Sequence, residues 1–123
     1  MNKVMKAVLI EPGKEARVAM IDGSLHGMQE IVDGLIAPVY FDDAVLLCND
    51  EGKIRQLPFN RALLDENGNV TDFIAGTCFI CGLGTEDFTG LDDEAAEKYR
   101  KKFLLPEELL CVDGRYIVHR YRP

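Results

Sequence analysis

The apolar run from Phe73 to Leu83, FIAGTCFICGL, constrains the fold of this chain more than any other feature. The run is too long and too interrupted by glycine for one uniform strand, so we expect Gly76 to mark a bulge or a close backbone approach. The dipeptide Asn67-Gly68, shortly before it, is a strong signal for a tight turn. We therefore predict that Phe73 to Leu83 forms the central strand of a sheet.

The N-terminal part of the chain predicts a hairpin followed by a helix. Val4 to Ile10 and Ala16 to Ile21 are rich in β-branched and aliphatic residues, and Pro12-Gly13 lies between them in a turn. Ser24 can cap a helix that ends near Gly34. The apolar stripe of this helix, which we expect to face the sheet, consists of Leu25, Met28, Val32 and Leu35.

The middle of the chain predicts two more strands and then an irregular segment. The strands run from Ile36 to Phe41 and from Ala44 to Cys48. Pro38 cannot donate a ladder hydrogen bond, so the first of them should lie at an edge or contain a bulge. Leu57 to Leu64 is mixed in character, and we expect a turn of helix or an irregular loop there.

A second helix is predicted from Asp92 onward, because acidic residues begin this segment and basic residues end it, as the helix dipole favours. Leu104 to Val112 allows no assignment. Arg115 to Tyr121 alternates well enough to form a last strand or an ordered arm. The expected buried stripe of the helix consists of Ala96, Tyr99 and Phe103.

These elements predict an α+β fold in a single domain that spans residues 1–123. A chain of 123 residues, 47% of them hydrophobic, has enough apolar surface for one core. We expect a mostly antiparallel sheet of about five to six strands with two main helices packed on one face. Residues 104–123 are expected to form a basic strand or arm attached to this core.

The charge of the chain argues against direct binding of nucleic acid. Its formal net charge is -7, whereas contacts with a phosphate backbone need many lysines and arginines. The distribution is uneven, since residues 115–123 contain three arginines and no acid, which leaves residues 1–114 with 11 basic and 21 acidic side chains, a net of -10. The first apolar run is too short for a signal peptide or a membrane span, so we expect a cytoplasmic protein with no membrane partner.

The Cys-x-x-Cys motif of Cys78 and Cys81 raises three interpretations: core cysteines, a redox pair or half of a zinc site. A zinc site needs further ligands, but Cys48 and Cys111 are isolated in sequence. Residues three apart on a regular strand also point to opposite faces of the sheet. We therefore favour core cysteines and predict neither a metal nor a cofactor.

Catalytic motifs are weak throughout the sequence. Gly82-Leu83-Gly84 follows a predicted strand, but Asp87 stands where a dinucleotide fingerprint needs its third glycine. The single serine, Ser24, already has a role as a helix cap, and neither histidine has an orienting partner in sequence. We expect no catalytic residues.

The binding residues that we predict are polar side chains in loops and in the basic tail. Asn49, Asn60 and Arg61 lie in loop-like sequence, where binding groups are common, and the guanidinium of Arg61 suits a carboxylate or a phosphate. The alternative is that Asn60 caps a short helix while Arg61 pairs with a nearby acid such as Asp65. The tail adds Arg115, Tyr116 and Arg120.

Several motifs together resemble the domain-of-unknown-function family 3846. They are EPGK, IDGSLHGMQEIVDG, CNDEGK, LPFNRALLDENGNVTDFIAGTCFICGLGTEDFTGL and EKYRKKF, and they cover roughly residues 3–103. The family usually has an aromatic residue at the position of Cys78 and an aliphatic one at that of Cys81. The resemblance implies an origin in phages, plasmids or integrative elements of bacteria, often beside antirestriction genes, but it implies no reaction.

Three functions remain open after this comparison of motifs. The first is a non-enzymatic accessory protein of a phage or mobile element that acts in counter-defence by binding a host or element-encoded protein. The second is a binder that sequesters a nucleotide-like defence signal, with arginines on the phosphates and Tyr116 or Tyr121 stacked on the base. A homodimer could assemble such a pocket. The third is a small hydrolase.

Overall fold

The computed structural model describes residues 3–123 and contains, within them, ten strands and two helices. Three β-sheets are present: a main sheet and two separate hairpins. The strands are β1 (Val4–Ile10), β2 (Arg17–Asp22), β3 (Ile36–Tyr40), β4 (Ala44–Asn49), β5 (Phe59–Leu64), β6 (Val70–Ala75), β7 (Cys78–Leu83), β8 (Phe88–Thr89), β9 (Glu107–Val112) and β10 (Arg115–Arg120), and the helices are α1 (Leu25–Val32) and α2 (Asp93–Lys102).

The main sheet is antiparallel, with the strand order β2-β1-β7-β4-β3, and the short β8 pairs with the end of β7. The central position of β7 confirms part of the prediction for the apolar run. That run is divided, however, because Gly76 has a φ of +87° and separates β6 from β7. Pro38 lies in β3 at an edge of the sheet, as expected.

The two helices cover opposite faces of the main sheet, so the expectation that both pack on one face is wrong. Alternate residues of a strand point to opposite faces. Accordingly, Phe79 packs with Met28 of α1, whereas its neighbour Ile80 packs with Ala96 and Tyr99 of α2. The central strands are continuous apolar runs because both of their faces are covered.

Helix α1 begins where the sequence predicts, since Ser24 Oγ accepts a hydrogen bond from Gly27 N at 3.1 Å. The predicted stripe is only half correct. Met28 and Val32 are buried against the sheet, but Leu25 and Leu35 are each 61% exposed. These two leucines flank the helix ends, outside the strip that contacts the sheet.

Helix α2 agrees with its prediction at both ends and along its buried side. Asp92 caps it by accepting a hydrogen bond from Ala95 N at 2.7 Å, and basic residues occupy its last turn. Ala96, Tyr99 and Phe103 are all buried against the sheet.

The segment from Leu57 to Leu64 is neither a helical turn nor a loop, because it contains β5. This strand pairs with β6 across the tight turn at Asn67-Gly68. Leu63 and Ile74 attach the resulting hairpin to the same face of the main sheet as α2. That face therefore carries a second layer of both helix and strand.

The C-terminal residues form a hairpin of β9 and β10, which we call the C-terminal hairpin. Its turn is Asp113-Gly114, where both residues have positive φ (51° and 78°), as a type I′ turn requires. The strand predicted at Arg115 to Tyr121 is thus confirmed, except that it ends one residue earlier, at Arg120. Its partner strand, β9, lies in the stretch from Leu104 to Val112 that the sequence left unassigned.

The α+β class with a mostly antiparallel main sheet of five to six strands is confirmed. Neither helix in residues 3–123 combines the length and the apolar character needed to cross a membrane.

Candidate functional site

The six residues predicted to bind a ligand or partner fall into two groups in the structure. Asn49, Asn60 and Arg61 are buried, while the other three lie exposed on the C-terminal hairpin. The exposed group is Arg115, Tyr116 and Arg120.

Asn49, at the end of β4, caps the C-terminal end of helix α1. Its Nδ2 donates to the carbonyl oxygens of Val32 and Asp33 at 2.9 and 3.0 Å, and its Oδ1 accepts from Glu51 N at 2.7 Å. The last carbonyls of a helix have no partner within the helix, so this amide supplies one. All of these groups belong to the protein itself, which makes Asn49 a structural residue.

Asn60 is fully buried within β5, and its placement in a loop is wrong. It is the extra residue of a β-bulge, since Phe59 pairs with Ala75 and Arg61 already pairs with Ile74. Its Nδ2 donates to Ile10 O at 2.9 Å and to Gly76 O at 2.8 Å. The amide thereby joins β5 to the end of β1 and to the start of the link to β7.

Arg61 follows the bulge and is also fully buried, and within residues 3–123 none of its hydrogen bonds goes to Asp65, the acid that the alternative interpretation named. Its Nε donates to Phe103 O at 3.1 Å and its Nη2 to Lys14 O at 2.7 Å. Nη1 donates to the Asn60 side chain at 2.9 Å. The guanidinium therefore connects β5 to the end of α2 and to the β1–β2 loop.

The charge of Arg61 is held in the interior by carbonyl oxygens rather than by a directly bonded carboxylate. Burial lowers the pKa of Arg61, and the nearby carboxylate of Glu107 opposes that shift. A bulge allows this arrangement because it turns two consecutive side chains, Asn60 and Arg61, toward the interior. Both residues position the β5–β6 hairpin on the sheet.

Glu107 attaches the base of the C-terminal hairpin to β5. Its side chain is buried; Oε1 accepts from Ala62 N at 2.9 Å and Oε2 accepts from Arg120 Nε at 3.0 Å. Arg120 thus has a structural contact through Nε, while half of its side chain stays exposed. No sequence signal singled out Glu107, whose role depends on a contact 45 residues away.

The far end of the C-terminal hairpin exposes large apolar side chains on both of its faces. Leu110 pairs with Ile117 on one face, and Cys111 pairs with Tyr116 on the other. We call Leu110, Val112, Tyr116 and Ile117 the apolar tip; they are 42%, 47%, 64% and 46% exposed. Arg115 lies beside them, opposite Val112. Sequence reasoning named only Arg115 and Tyr116 here, although Asp113-Gly114 between two apolar runs is a hairpin signal.

Cys78 and Cys81 lie on β7 and point to opposite faces of the sheet, as the sequence predicts. Cys78 packs in the core beneath α2, and Cys81 packs in the core beneath α1. Burial raises the pKa of both thiols, that of Cys81 to about 12. Within residues 3–123, no group of three or more His, Cys, Asp or Glu side chains is arranged to hold a metal ion.

Comparison with known proteins gives one match. Neither the curated proteins nor the solved structures yielded a match to the chain. The model of a family described as a domain of unknown function, DUF3846, matches residues 5–104. The match ends just before the C-terminal hairpin begins. Since it spans most of the 123 residues, the chain belongs to the DUF3846 family.

Proposed function

We propose that this protein is a non-enzymatic binding protein that attaches to a protein partner through the apolar tip of its C-terminal hairpin. The setting that we propose is the cytoplasm of a bacterium, where it serves a phage or another mobile element in counter-defence. The exposure of the tip is the observation that carries the proposal.

A two-stranded hairpin is marginally stable alone in water, and exposed clusters of large apolar side chains mark interaction sites. Here the base of the hairpin is fixed by Glu107, while the four residues of the tip remain accessible. The tip thus combines a rigid attachment with an apolar contact surface, including one exposed tyrosine of the kind that is enriched in interfaces.

The charge near the tip indicates the chemistry of the partner. Arg115 lies at the tip, opposite Val112, and Asp113 is next to it in the turn, whereas Arg120 is at the base of the hairpin on Glu107. Residues 115–123 nevertheless contain three arginines and no acid, although the rest of the chain is strongly acidic. Complementary potentials speed association and select partners. We therefore expect a partner with an apolar patch that is bordered by carboxylates.

Site-specific photo-crosslinking in a bacterial host tests this surface. A benzoylphenylalanine replaces Tyr116 in one variant and Tyr40 in another; both tyrosines are 64% exposed, but Tyr40 lies in β3. We expect a specific adduct only from position 116. Ile117→Asp should remove that adduct, whereas Ile54→Asp, at an isoleucine that is 82% exposed in the β4–β5 connection, should not.

Two outcomes of this experiment contradict the proposal. Adducts of equal yield from both positions would show that the contact is not specific to the hairpin. An adduct formed only between two copies of the chain would instead make the tip a dimer interface.

A plating assay tests the role in counter-defence. Expression of the unaltered protein should raise the efficiency of phage plating on a restricting host, and Ile117→Asp should abolish this effect. If expression of the unaltered protein leaves the plating efficiency unchanged, the role in counter-defence is contradicted.

A further inference from the structure

A cleft of about 420 Å³ lies between the end of α2, the β5–β6 hairpin and the base of the C-terminal hairpin. Its walls are mainly apolar and include Phe41, Leu63 and Phe103. We call it the Phe41 cleft. Its volume falls within the range of small-molecule sites, which are typically apolar with a few polar groups.

Two cations line the Phe41 cleft. Lys102 Nζ lies 4.7 Å from the centre of the Phe41 ring and 5.5 Å from that of Phe103. None of the ion pairs formed within residues 3–123 includes Lys102. Arg120 donates through Nε to Glu107. Its two terminal nitrogens, Nη1 and Nη2, donate no hydrogen bond to any group within residues 3–123.

The charges leave the cleft with one cation in excess. Its single acidic residue is Glu107, which Arg120 balances, so Lys102 remains uncompensated there. The neighbouring hollow of about 760 Å³ shares Phe41, Leu64 and Lys102 with the cleft, but its charged lining consists of Lys98 and Lys102 against three acids, Asp42, Asp65 and Glu66, which leaves one negative charge in excess. An anion is therefore favoured in the apolar cleft and disfavoured in the hollow.

We propose that the Phe41 cleft binds a small amphiphilic anion, independently of the partner contact at the apolar tip. The apolar body of the ligand lies against Phe41 and Leu63. Its anionic group, a carboxylate, sulfonate or phosphate, pairs with Lys102 and with the terminal nitrogens of Arg120. The site differs from the one predicted in sequence, because Arg61 is buried and Lys102 takes the expected role of the cation.

Fluorescence titration with two dyes tests both parts of the proposal. The probes are 8-anilinonaphthalene-1-sulfonate and N-phenyl-1-naphthylamine, which share an aromatic body but differ in charge. Lys102→Gln should weaken binding of the sulfonate by about fivefold, as expected for one exposed ion pair, and should leave the neutral dye unaffected. The matched control is Lys101→Gln on the same helix, at a residue that does not line the cleft.

Thr71→Trp supplies a steric test, since Thr71 lines the cleft but is exposed on β6, so the larger ring should fill the space without disturbing the core. Binding of both dyes should then fall at least tenfold, while circular dichroism stays unchanged. The proposal is overturned if the unaltered protein does not bind the sulfonate, or if Thr71→Trp binds it as well as the unaltered protein does. Equal losses in Lys102→Gln and Lys101→Gln, or equal losses for both dyes in Lys102→Gln, would also overturn it.

Discussion

The adjacent side chains of Asn60 and Arg61 attach one strand to four other parts of the fold. Asn60 bonds to the end of β1 and to Gly76, while Arg61 bonds to Lys14 and Phe103. Buried polar groups cost little when they are fully paired and much when a partner is lost. Stability should therefore be far more sensitive to these two residues than to any exposed polar residue.

We predict that Arg61→Ala lowers the free energy of unfolding by about 3 kcal/mol or more, because it leaves buried carbonyl oxygens without donors and opens a cavity. Urea denaturation followed by circular dichroism measures this loss. Arg17→Ala is the matched control; Arg17 is exposed and pairs with Glu11 at 3.3 Å, so its loss should cost below about 1 kcal/mol. Similar losses in the two variants would refute a structural role for Arg61.

The four cysteines differ in reactivity according to their burial. Cys111 is exposed, whereas Cys48, Cys78 and Cys81 are buried. The thiolate is the reactive form, and burial raises the pKa of Cys81 to about 12. We predict that 5,5′-dithiobis(2-nitrobenzoate) at pH 8 labels one thiol rapidly in the folded protein and all four in urea. Cys111→Ser should remove the rapid phase; rapid labelling that persists in this variant would contradict the buried positions of the other three.

At the level of elements, the sequence predicted best those strands and helices whose signals are local. Helix α2 shows its acidic start, its basic end and its apolar stripe within the twelve residues from Asp92 to Phe103, and all three are confirmed. Strand β5 escaped prediction because its bulge places Asn60 and Arg61 inside, where only contacts distant in sequence satisfy them. A polar pair of this kind resembles a loop until the groups that surround it are known.

The side on which each helix packs was also predictable in principle. Ala44 to Cys48 in β4 and Cys78 to Cys81 in β7 are uninterrupted apolar runs in the sequence, and such runs are typical of strands covered on both faces. An expectation of one covered face conflicts with those runs. The candidate site was less predictable, because Phe41, Lys102 and Arg120 are distant in sequence and come together only in the folded chain, where residues of the β5–β6 hairpin line the same cleft.

The link between β6 and β7 depends on the absence of a side chain at Gly76. A Cβ at this position would lie 2.8 Å from Leu57 Cδ1, and the φ of +87° is itself unfavourable for other residues. Gly68 has a similar φ of +82°, but a Cβ there would meet nothing within 4 Å. A side chain at Gly68 would therefore meet only backbone strain, whereas one at Gly76 would meet both strain and a clash with Leu57.

We predict that Gly68→Ala costs about 1 kcal/mol, from strain alone, and that Gly76→Ala costs about 2–4 kcal/mol, because a clash is added. Parallel urea titrations of the two variants measure the difference. Equal losses would mean that Leu57 moves aside freely, and the close approach at Gly76 would then have no energetic importance.

At the scale of the whole molecule, several surface carboxylates accept hydrogen bonds in the folded chain, whose net charge is -7. Hydrogen bonds to the ionised form lower the pKa of seven carboxyl groups below their usual values. In Asp43, the largest cause is the bond from the Tyr99 hydroxyl, and Lys98 adds to it. The seven groups are Asp22, Asp43, Asp65, Asp72, Asp87, Asp93 and Glu97.

A carboxyl with a lowered pKa in the folded state contributes its stabilisation above the pKa of the unfolded chain, and loses it as the pH falls through the folded value. The usual aspartate pKa is 3.8, so the melting temperature should stay nearly level from pH 7 to about pH 5 and fall steeply below about pH 4. Scanning calorimetry at constant ionic strength measures this profile. Asp43→Asn should have a lower melting temperature at pH 7 and a smaller fall in melting temperature on acidification. Asp42→Asn, which changes the adjacent aspartate, should have the same profile as the unaltered protein. A melting temperature that rises between pH 5 and pH 3 would instead mean that relief of repulsion among the acidic residues outweighs the hydrogen bonds that they accept.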